Sequence, residues 1–117
     1  MFKVIIAGTR TFDDYEALKA YADYKLGQIK EDIEIISGGA TGADALGERY
    51  AKEKGYTIKR FPADWNRYGK KAGPLRNKQM ADYADALIVF WDGSSRGTKN
   101  MLEIAREQGL KIGIYKY

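Results

Sequence analysis

The sequence has 117 residues, about the usual size of one domain, so we expect a single domain over residues 1–117. Its content of 44% hydrophobic and 31% charged residues is typical of a globular chain rather than a disordered one. The net charge of +4 suits an anionic ligand, and the absence of cysteine and histidine excludes disulfides, His-based triads and zinc sites built on these residues.

An apolar, β-branched run at Phe2–Ala7 predicts a buried first strand. No small-residue cleavage site follows this run, and no segment approaches the roughly 20 apolar residues that cross a bilayer. We therefore expect a cytoplasmic protein with no membrane partner. A stripe at helical spacing then predicts the first helix, formed by Tyr15, Leu18, Ala22 and Leu26.

The rest of the chain alternates between apolar runs and segments of helical periodicity. Between the third strand and the following helix, Pro62–Gly73 is predicted as a polar connection, and Pro74 is expected at the first helical position. The predicted strands are Ile33–Ser37, Tyr56–Phe61, Ala84–Trp91 and Lys111–Tyr115, and the predicted helices are Ala43–Lys54, Pro74–Tyr83 and Thr98–Gln108.

This alternation predicts an α/β fold with a doubly wound, parallel, five-stranded sheet and helices on both faces. By analogy with dinucleotide-binding folds, we expect a single Rossmann-like domain with the strand order 3-2-1-4-5. The first, second and fourth strands are then neighbours, so the loops after them meet at one edge of the sheet. Ligands bind in the crevice at such an edge.

Those three loops are rich in glycine, and they read GTRTF, SGGATGAD and DGSSRGT. Glycine lets the backbone approach a phosphate closely, and the helix N-termini that follow favour anions. Arg10 and Arg96 lie in two of the loops and could clamp a phosphate, and Arg76 and Asn77 at a helix start could face an anion. Neither a P-loop nor a G-x-G-x-x-G motif is present.

Several residues keep two interpretations. Asp44 could cap its helix or favour the helix dipole, or it could accept hydrogen bonds from ribose hydroxyls. Gly47 is predicted to allow close packing of helix on sheet rather than ligand contact. Trp65, Tyr68 and Trp91 could stack on a base, and Trp91 could equally belong to the core because it ends a buried strand.

Five motifs, SGGATGAD, FPADW, GKKAGPLRN, ADALIVFWDG and SRGT, resemble in this order the YspA-type, YpsA-related branch of the SLOG superfamily, which also contains DprA/Smf proteins and LOG phosphoribohydrolases. The resemblance implies a Rossmann-like fold and a site for nucleotides or nucleotide-derived ligands. Carried over by motif, that site uses Gly8, Thr9, Arg10, Gly38, Gly39, Gly42, Asp44, Arg76, Asn77, Gly93, Ser94, Gly97 and Thr98. The same loops add Thr41, Asp92, Ser95 and Arg96 as candidates.

The resemblance to LOG enzymes is incomplete. These enzymes carry a PGGxGTxxE motif whose glutamate serves catalysis, and alignment of Gly97-Thr98 with its GT places Met101 at the glutamate position. The sequence therefore favours a binding protein over an enzyme, and no catalytic residue is assigned. An enzyme would have to use Asp44, Asp92 or Glu48 as acid or base.

The leading hypothesis is a sensor or sequestering protein for a nucleotide-derived molecule, such as a cyclic-nucleotide or ADP-ribose-like signal. A LOG-like N-glycosidase or phosphoribohydrolase is the first alternative. DprA-like binding of single-stranded nucleic acid is the second, through the basic residues Arg67, Lys70, Lys71, Arg76 and Lys78. We expect a homo-oligomer, because one small domain leaves no room for an effector. No cofactor or metal ligand is assigned beyond the nucleotide-type ligand, which Mg²⁺ could accompany.

Overall fold

Strands and helices alternate along all 117 residues that the computed structural model describes. In chain order they are β1 (Phe2–Gly8), α1 (Tyr15–Leu26), β2 (Ile33–Ser37), α2 (Ala43–Lys54), β3 (Thr57–Arg60), α3 (Trp65–Tyr68), α4 (Ala72–Tyr83), β4 (Ala86–Trp91), α5 (Arg96–Glu107) and β5 (Lys111–Lys116). One turn of 3₁₀ helix, Gly69–Lys71, joins α3 to α4. None of the helices combines the length and apolar character that crossing a membrane requires.

The five strands form one parallel sheet in the order β3-β2-β1-β4-β5. The predicted fold class and strand order are therefore confirmed. β1 is the central strand, and its Ile5 pairs with Ile36 of β2 on one side and with Leu87 of β4 on the other. From β1 the chain moves outward to β2 and β3 and then returns to β4 on the other side of β1, and this reversal opens the crevice at the carboxyl ends of β1 and β4.

Alternation of side chains along β1 divides the core into two layers. Val4 and Ile6 pack in the layer that α1 and α2 cover. Ile5 and Ala7 pack in the opposite layer, which α4 and α5 cover. These four residues are buried because helices lie on both faces, as predicted, and such strands read as continuous apolar runs.

Two helices begin earlier than the sequence predicted. α4 starts at Ala72, so Pro74 is its third residue and not its first. Proline is tolerated there because the N–H groups of a first helical turn have no partner within the helix. α5 starts at Arg96, where the hydroxyl of Ser95 accepts the N–H of Thr98 at 3.4 Å and caps the helix.

The segment predicted as a polar connection, Pro62–Gly73, contains the short helix α3. The carboxylate of Asp64 caps α3 by accepting the N–H of Arg67 at 3.1 Å. A four-residue helix shows no apolar periodicity, which is why the sequence pattern did not reveal it. Trp65 at its start lies against Gly73, where a Cβ atom would be 3.3 Å from the indole ring.

Gly47 allows α2 to approach β1 closely. A Cβ atom at this position would lie 2.7 Å from Cγ2 of Ile6, which is inside van der Waals contact. The prediction that Gly47 serves packing between helix and sheet is therefore confirmed. Gly55, with φ of 76°, ends the same helix in the left-handed conformation, as expected of a glycine at a helix C-terminus.

Replacing Gly47 with alanine should lower the free energy of unfolding by about 1–3 kcal/mol, because the new methyl group overpacks the layer around Ile6. The intrinsic preference of helices for alanine acts in the opposite direction, by about 1 kcal/mol. Urea denaturation followed by circular dichroism measures the change. The matched control is Gly97→Ala, where a Cβ atom would have no neighbour within 4 Å. Equal stability of the two variants would contradict this account.

Candidate functional site

A cavity of about 610 Å³ opens at the carboxyl edge of β1 and β4. The three glycine-containing loops contribute to its walls, as the sequence predicted, together with the start of α4. Its floor includes Met101, at the position where LOG enzymes are expected to carry glutamate. Of the predicted ligand-binding residues, eleven line this first cavity, namely Gly8, Thr9, Arg10, Asp44, Arg76, Asn77, Asp92, Ser95, Arg96, Gly97 and Thr98.

A second cavity of about 710 Å³ lies beside the first. The predicted residues Gly38, Gly39 and Thr41 line it, as does Glu48. Trp65 lines both cavities, so it is the one predicted base-stacking residue that the structure brings to the site.

Five predicted residues lie outside both cavities: Gly42, Tyr68, Trp91, Gly93 and Ser94. The indole N–H of Trp91 donates to the carbonyl of Ser95 at 3.1 Å, and the side chain is half-buried. Gly93 adopts φ of 87° in the turn after β4, and Ser94 donates its N–H to Asp92 at 2.8 Å. These residues shape the loop and do not face the cavities.

Thr9 joins the three loops. Its N–H donates to the carbonyl of Phe90 at 2.9 Å, and its own carbonyl accepts the N–H of Ala43 at 3.3 Å. Its hydroxyl accepts the N–H of Asp92 at 3.2 Å. Thr9 is buried, so these bonds are shielded from water. One residue of the first loop thus fixes the start of α2 and the end of β4.

Gly42 completes this junction. With φ of 74°, it places the loop backbone so close that a Cβ atom would lie 2.4 Å from the carbonyl oxygens of Thr9 and Arg10. The hydroxyl of Thr41 also donates to the carbonyl of Arg10, at 3.2 Å. Gly42 therefore serves contact between two loops, whereas the sequence had suggested close approach of a ligand.

Asp44 is buried at the edge of the first cavity, with 6% of its surface exposed. It is the second residue of α2 and Gly42 holds the N-cap position, so Asp44 does not cap the helix, but it lies in the first turn, where a carboxylate favours the helix dipole. Its Oδ2 accepts the N–H of Ala40 at 3.2 Å. Burial raises the pKa of Asp44, while the bond from Ala40 and the nearby Arg76 partly oppose that rise.

Three arginines surround the first cavity, and none has a carboxylate oxygen within 4.0 Å. Arg76 donates from Nη1 to the carbonyl of Gly38 at 2.7 Å and from Nε to Asn77 at 3.1 Å. Burial lowers the pKa of Arg76, and Arg10 adds to that effect through like-charge repulsion. With Arg96 at the start of α5, the cavity presents three cations with free donor groups.

Two carboxylates hold the loops in place. Oδ1 of Asp92 accepts the N–H groups of Ser94 and Ser95 at 2.8 Å each, and these bonds lower the pKa of Asp92. Glu48 accepts the hydroxyl of Ser37 at 2.7 Å and Nε of Arg60 at 2.9 Å, and Arg60 lowers its pKa. No group of three or more acidic side chains is arranged to hold a metal ion. A Mg²⁺ ion that accompanies a nucleotide needs only one or two protein carboxylates besides the phosphates, so its presence with the ligand stays a prediction.

Sequence reasoning missed Asn100, whose Oδ1 accepts the side-chain N–H of Asn77 at 2.9 Å in the first cavity. Asn100 lies four residues after Arg96, one turn further along the same face of α5. That spacing was the available signal. Thr11 and Met80 also line the cavity and were not predicted.

This fold and crevice define a Rossmann-like α/β protein with its candidate site at the carboxyl edge of the sheet. Residues 2–68 match the family YAcAr, described as the YspA, cpYpsA-related SLOG family. The chain belongs to this SLOG family, as its motifs indicated. The Gene 61 protein of Mycobacterium phage D29 is 34% identical over 119 residues, which cover 96% of this chain and 94% of that protein.

Solved structures with the same fold include DNA processing protein A from Helicobacter pylori, described for its single-stranded DNA binding mode. It has a TM-score of 0.70 and 20% identity, over 97% of this chain and 64% of that chain. The Streptococcus pneumoniae DprA has a TM-score of 0.74 and 20% identity, over 97% of this chain and 50% of that one. The chain thus spans about half to two thirds of these DprA chains.

A third structure, TM1055, has a TM-score of 0.69 and 19% identity, over 96% of this chain and 72% of that chain. At such low identities the three structures share the fold with this chain, and their names transfer no activity to it.

Replacing Asp44 with asparagine should stabilise the protein at pH 7. Because burial raises the pKa of Asp44, the folded state binds a proton more tightly than the unfolded chain, so ionisation opposes folding. The free energy of unfolding of the variant should exceed that of the wild type by an amount that depends on pH. This difference should grow from about pH 3.9, the pKa of an unperturbed aspartate, up to the raised pKa of the folded state, and should stay constant above it. Urea denaturation across this pH range measures it.

Asp92→Asn is the matched control with the opposite sign. The pKa of Asp92 is lowered in the folded state, so its ionisation favours folding, and the wild type loses that contribution as pH falls through the folded pKa. This variant should be less stable than the wild type at pH 7. The difference in the free energy of unfolding between Asp44→Asn and the wild type should not shrink as pH rises. If it does, Asp44 is not a buried carboxylate with a raised pKa.

Proposed function

We propose that this protein binds a nucleotide or nucleotide-derived small molecule in the first cavity and acts as a sensor or a sequestering protein. One observation carries the proposal: Arg10, Arg76 and Arg96 surround a crevice at the carboxyl edge of the sheet, and none of them forms an ion pair with a carboxylate. Cations with free donors in a concave site favour phosphate groups.

The start of α5 supports a phosphate position. The N–H groups of Arg96 and Gly97 have no partner in the protein, and the positive end of the helix dipole lies with them. Gly97 has no positive φ and a Cβ atom there would meet nothing within 4 Å, so the fold itself does not require glycine. We attribute the glycine at position 97 to the close approach of a ligand to this backbone.

Asp44 supports a ribose position. Only its Oδ2 accepts a hydrogen bond within the protein, so Oδ1 retains the capacity to accept bonds from a ligand. A carboxylate would repel phosphate, but it accepts hydrogen bonds from vicinal hydroxyls readily. Of the two roles that the sequence left open, ribose recognition is therefore the one we propose. Cyclic-nucleotide and ADP-ribose-like signals both combine phosphate with ribose.

A homo-oligomer remains part of this proposal, since a small sensor needs a partner surface to transmit occupancy. Native mass spectrometry of the purified protein tests both statements at once. It should report the oligomeric state together with the mass of any ligand that co-purifies.

A LOG-like glycosidic cleavage is the second candidate, and one observation favours it. Asp44 and Asp92 both line the first cavity, and their pKa values are shifted in opposite directions, as those of an acid and a base are. Chromatography of nucleoside monophosphates incubated with the protein decides this. If the wild type releases free base and Asp44→Ala does not, the protein is an enzyme. If the substrate is unchanged, the binding function stands and the cleavage is refuted.

Replacing Arg10 with glutamine should weaken ligand binding about tenfold to 100-fold, the equivalent of one hydrogen bond to a charged group. Stability should change by less than about 0.5 kcal/mol, because the side chain is exposed and makes no hydrogen bond or ion pair within the protein. Titration calorimetry with mononucleotides, cyclic dinucleotides and ADP-ribose measures affinity.

Arg106→Gln is the control for Arg10→Gln. It removes the same charge from an exposed position that lines neither cavity. Affinity should therefore stay at the wild-type value. Equal losses in both variants would mean that net charge attracts the ligand and that Arg10 makes no specific contact.

Gly97→Ala should separate stability from function. Alanine at this helical position should raise the free energy of unfolding by about 0.5–1 kcal/mol. The same methyl group would stand where a ligand approaches the α5 backbone, so affinity should fall. A variant that is more stable and binds as well as the wild type would refute the phosphate position at α5.

A further inference from the structure

The two cavities share one wall. Arg10, Ala40, Trp65 and Arg76 line both of them. Each cavity, at about 610 and 710 Å³, is as large as a typical pocket for one small molecule. A single nucleotide in the first cavity therefore leaves the second one unused.

The shared wall carries two cations with unused donors. The guanidinium of Arg10 makes no hydrogen bond within the protein, and Arg76 uses only Nε and Nη1. Two like charges close together repel each other, and an anion between them relieves that repulsion. The wall is thus suited to a phosphate that belongs to both cavities.

The second cavity has rigid polar walls of its own. The hydroxyl of Ser37 accepts the N–H of Gly39 at 3.0 Å and donates to Glu48 at 2.7 Å, and Arg60 holds the other carboxylate oxygen of Glu48. Gly39 has φ of 75°, and a Cβ atom there would face open space. Backbone and carboxylate groups are therefore held in place toward a volume that no protein atom fills.

Trp65 supplies an aromatic surface at the junction. It is half-exposed, at 50%, although it is a large apolar side chain. Gly73 makes room for one edge of the ring, which lies beside both cavities. Aromatic side chains in such positions stack on nucleobases without regard to sequence.

We propose that the two cavities form one bipartite site for a ligand of two nucleoside units joined through phosphate, with the phosphate linker at Arg10 and Arg76 and one unit in each cavity. The proposal rests on nucleotide binding in the first cavity. It adds that the second cavity takes the other half of the same molecule. Glu48 and the backbone around Gly39 are the polar groups that would contact this half.

Ala45→Trp tests the second cavity alone. Ala45 lines only that cavity and is exposed on the first turn of α2, so a tryptophan there fills the space without entering the core. The probes for calorimetry are 5′-AMP and 5′-GMP on one side, and pApA, pGpG, cyclic di-AMP and cyclic di-GMP on the other. At least one two-nucleoside probe should bind the wild type more than about tenfold tighter than its mononucleotide, as joined binding units do.

In Ala45→Trp that advantage should disappear while mononucleotide affinity stays unchanged. Ala20→Trp is the matched control, since Ala20 is exposed on α1 and lines neither cavity, and it should behave as the wild type. Equal binding of mononucleotides and two-nucleoside probes to the wild type would overturn the bipartite site but leave the first cavity intact. No binding of any probe would overturn both proposals.

A further titration tests whether the two cavities bind single-stranded nucleic acid and not a small ligand. Oligothymidylates of increasing length, titrated at low and high salt, distinguish a groove from a closed site. If affinity continues to rise beyond the dinucleotide and falls steeply with salt, the cavities belong to a nucleic-acid groove and the small-ligand proposal is overturned. Affinity that reaches its limit at two nucleotides supports the bipartite site.

Discussion

The site depends on the hydrogen bonds of one residue, Thr9. Its N–H, carbonyl and hydroxyl groups each reach a different neighbour, at the end of β4, the start of α2 and the turn at Asp92. Close contact at this point is possible only because Gly42 has no side chain to meet the carbonyl oxygens of Thr9 and Arg10. The loops of three strands are thereby held together before any ligand arrives, which reduces the conformational entropy that binding would otherwise lose.

This arrangement separates groups that build the site from groups that remain free. Oδ1 of Asp92 accepts two N–H groups, and the two oxygens of Glu48 accept a hydroxyl and a guanidinium group. Arg10, Arg96 and one oxygen of Asp44 have no such partners. Arg10 and Arg96 are exposed, so water hydrates their guanidinium groups in the free protein and an anion has to replace that water. Asp44 is buried, so a ligand that satisfies its unpaired oxygen gains affinity from that deficit.

Local pattern was sufficient for most of the fold. The predicted bounds of β2 and α2, Ile33–Ser37 and Ala43–Lys54, match the structure because apolar periodicity and terminal glycines are local signals. The three site loops were located for the same reason. α3 was missed since four residues carry no period. The burial of Asp44 and the hydrogen bond between Asn77 and Asn100 could not be predicted from the sequence, because they arise when separate helices pack at the sheet edge.

The carboxylates in the first cavity also bear on the choice between binding and cleavage. An acid–base pair needs two groups that are each free to exchange a proton with the substrate. Each carboxylate keeps one oxygen without a hydrogen bond in the protein, but Oδ1 of Asp92 accepts the N–H groups of Ser94 and Ser95, which favours its ionised form, and Ser95 in turn caps α5. Proton uptake by Asp92 would weaken the bonds that hold the turn before α5. Met101 at the floor supplies no third ionisable group. These observations therefore support the proposed binding function over the proposed cleavage.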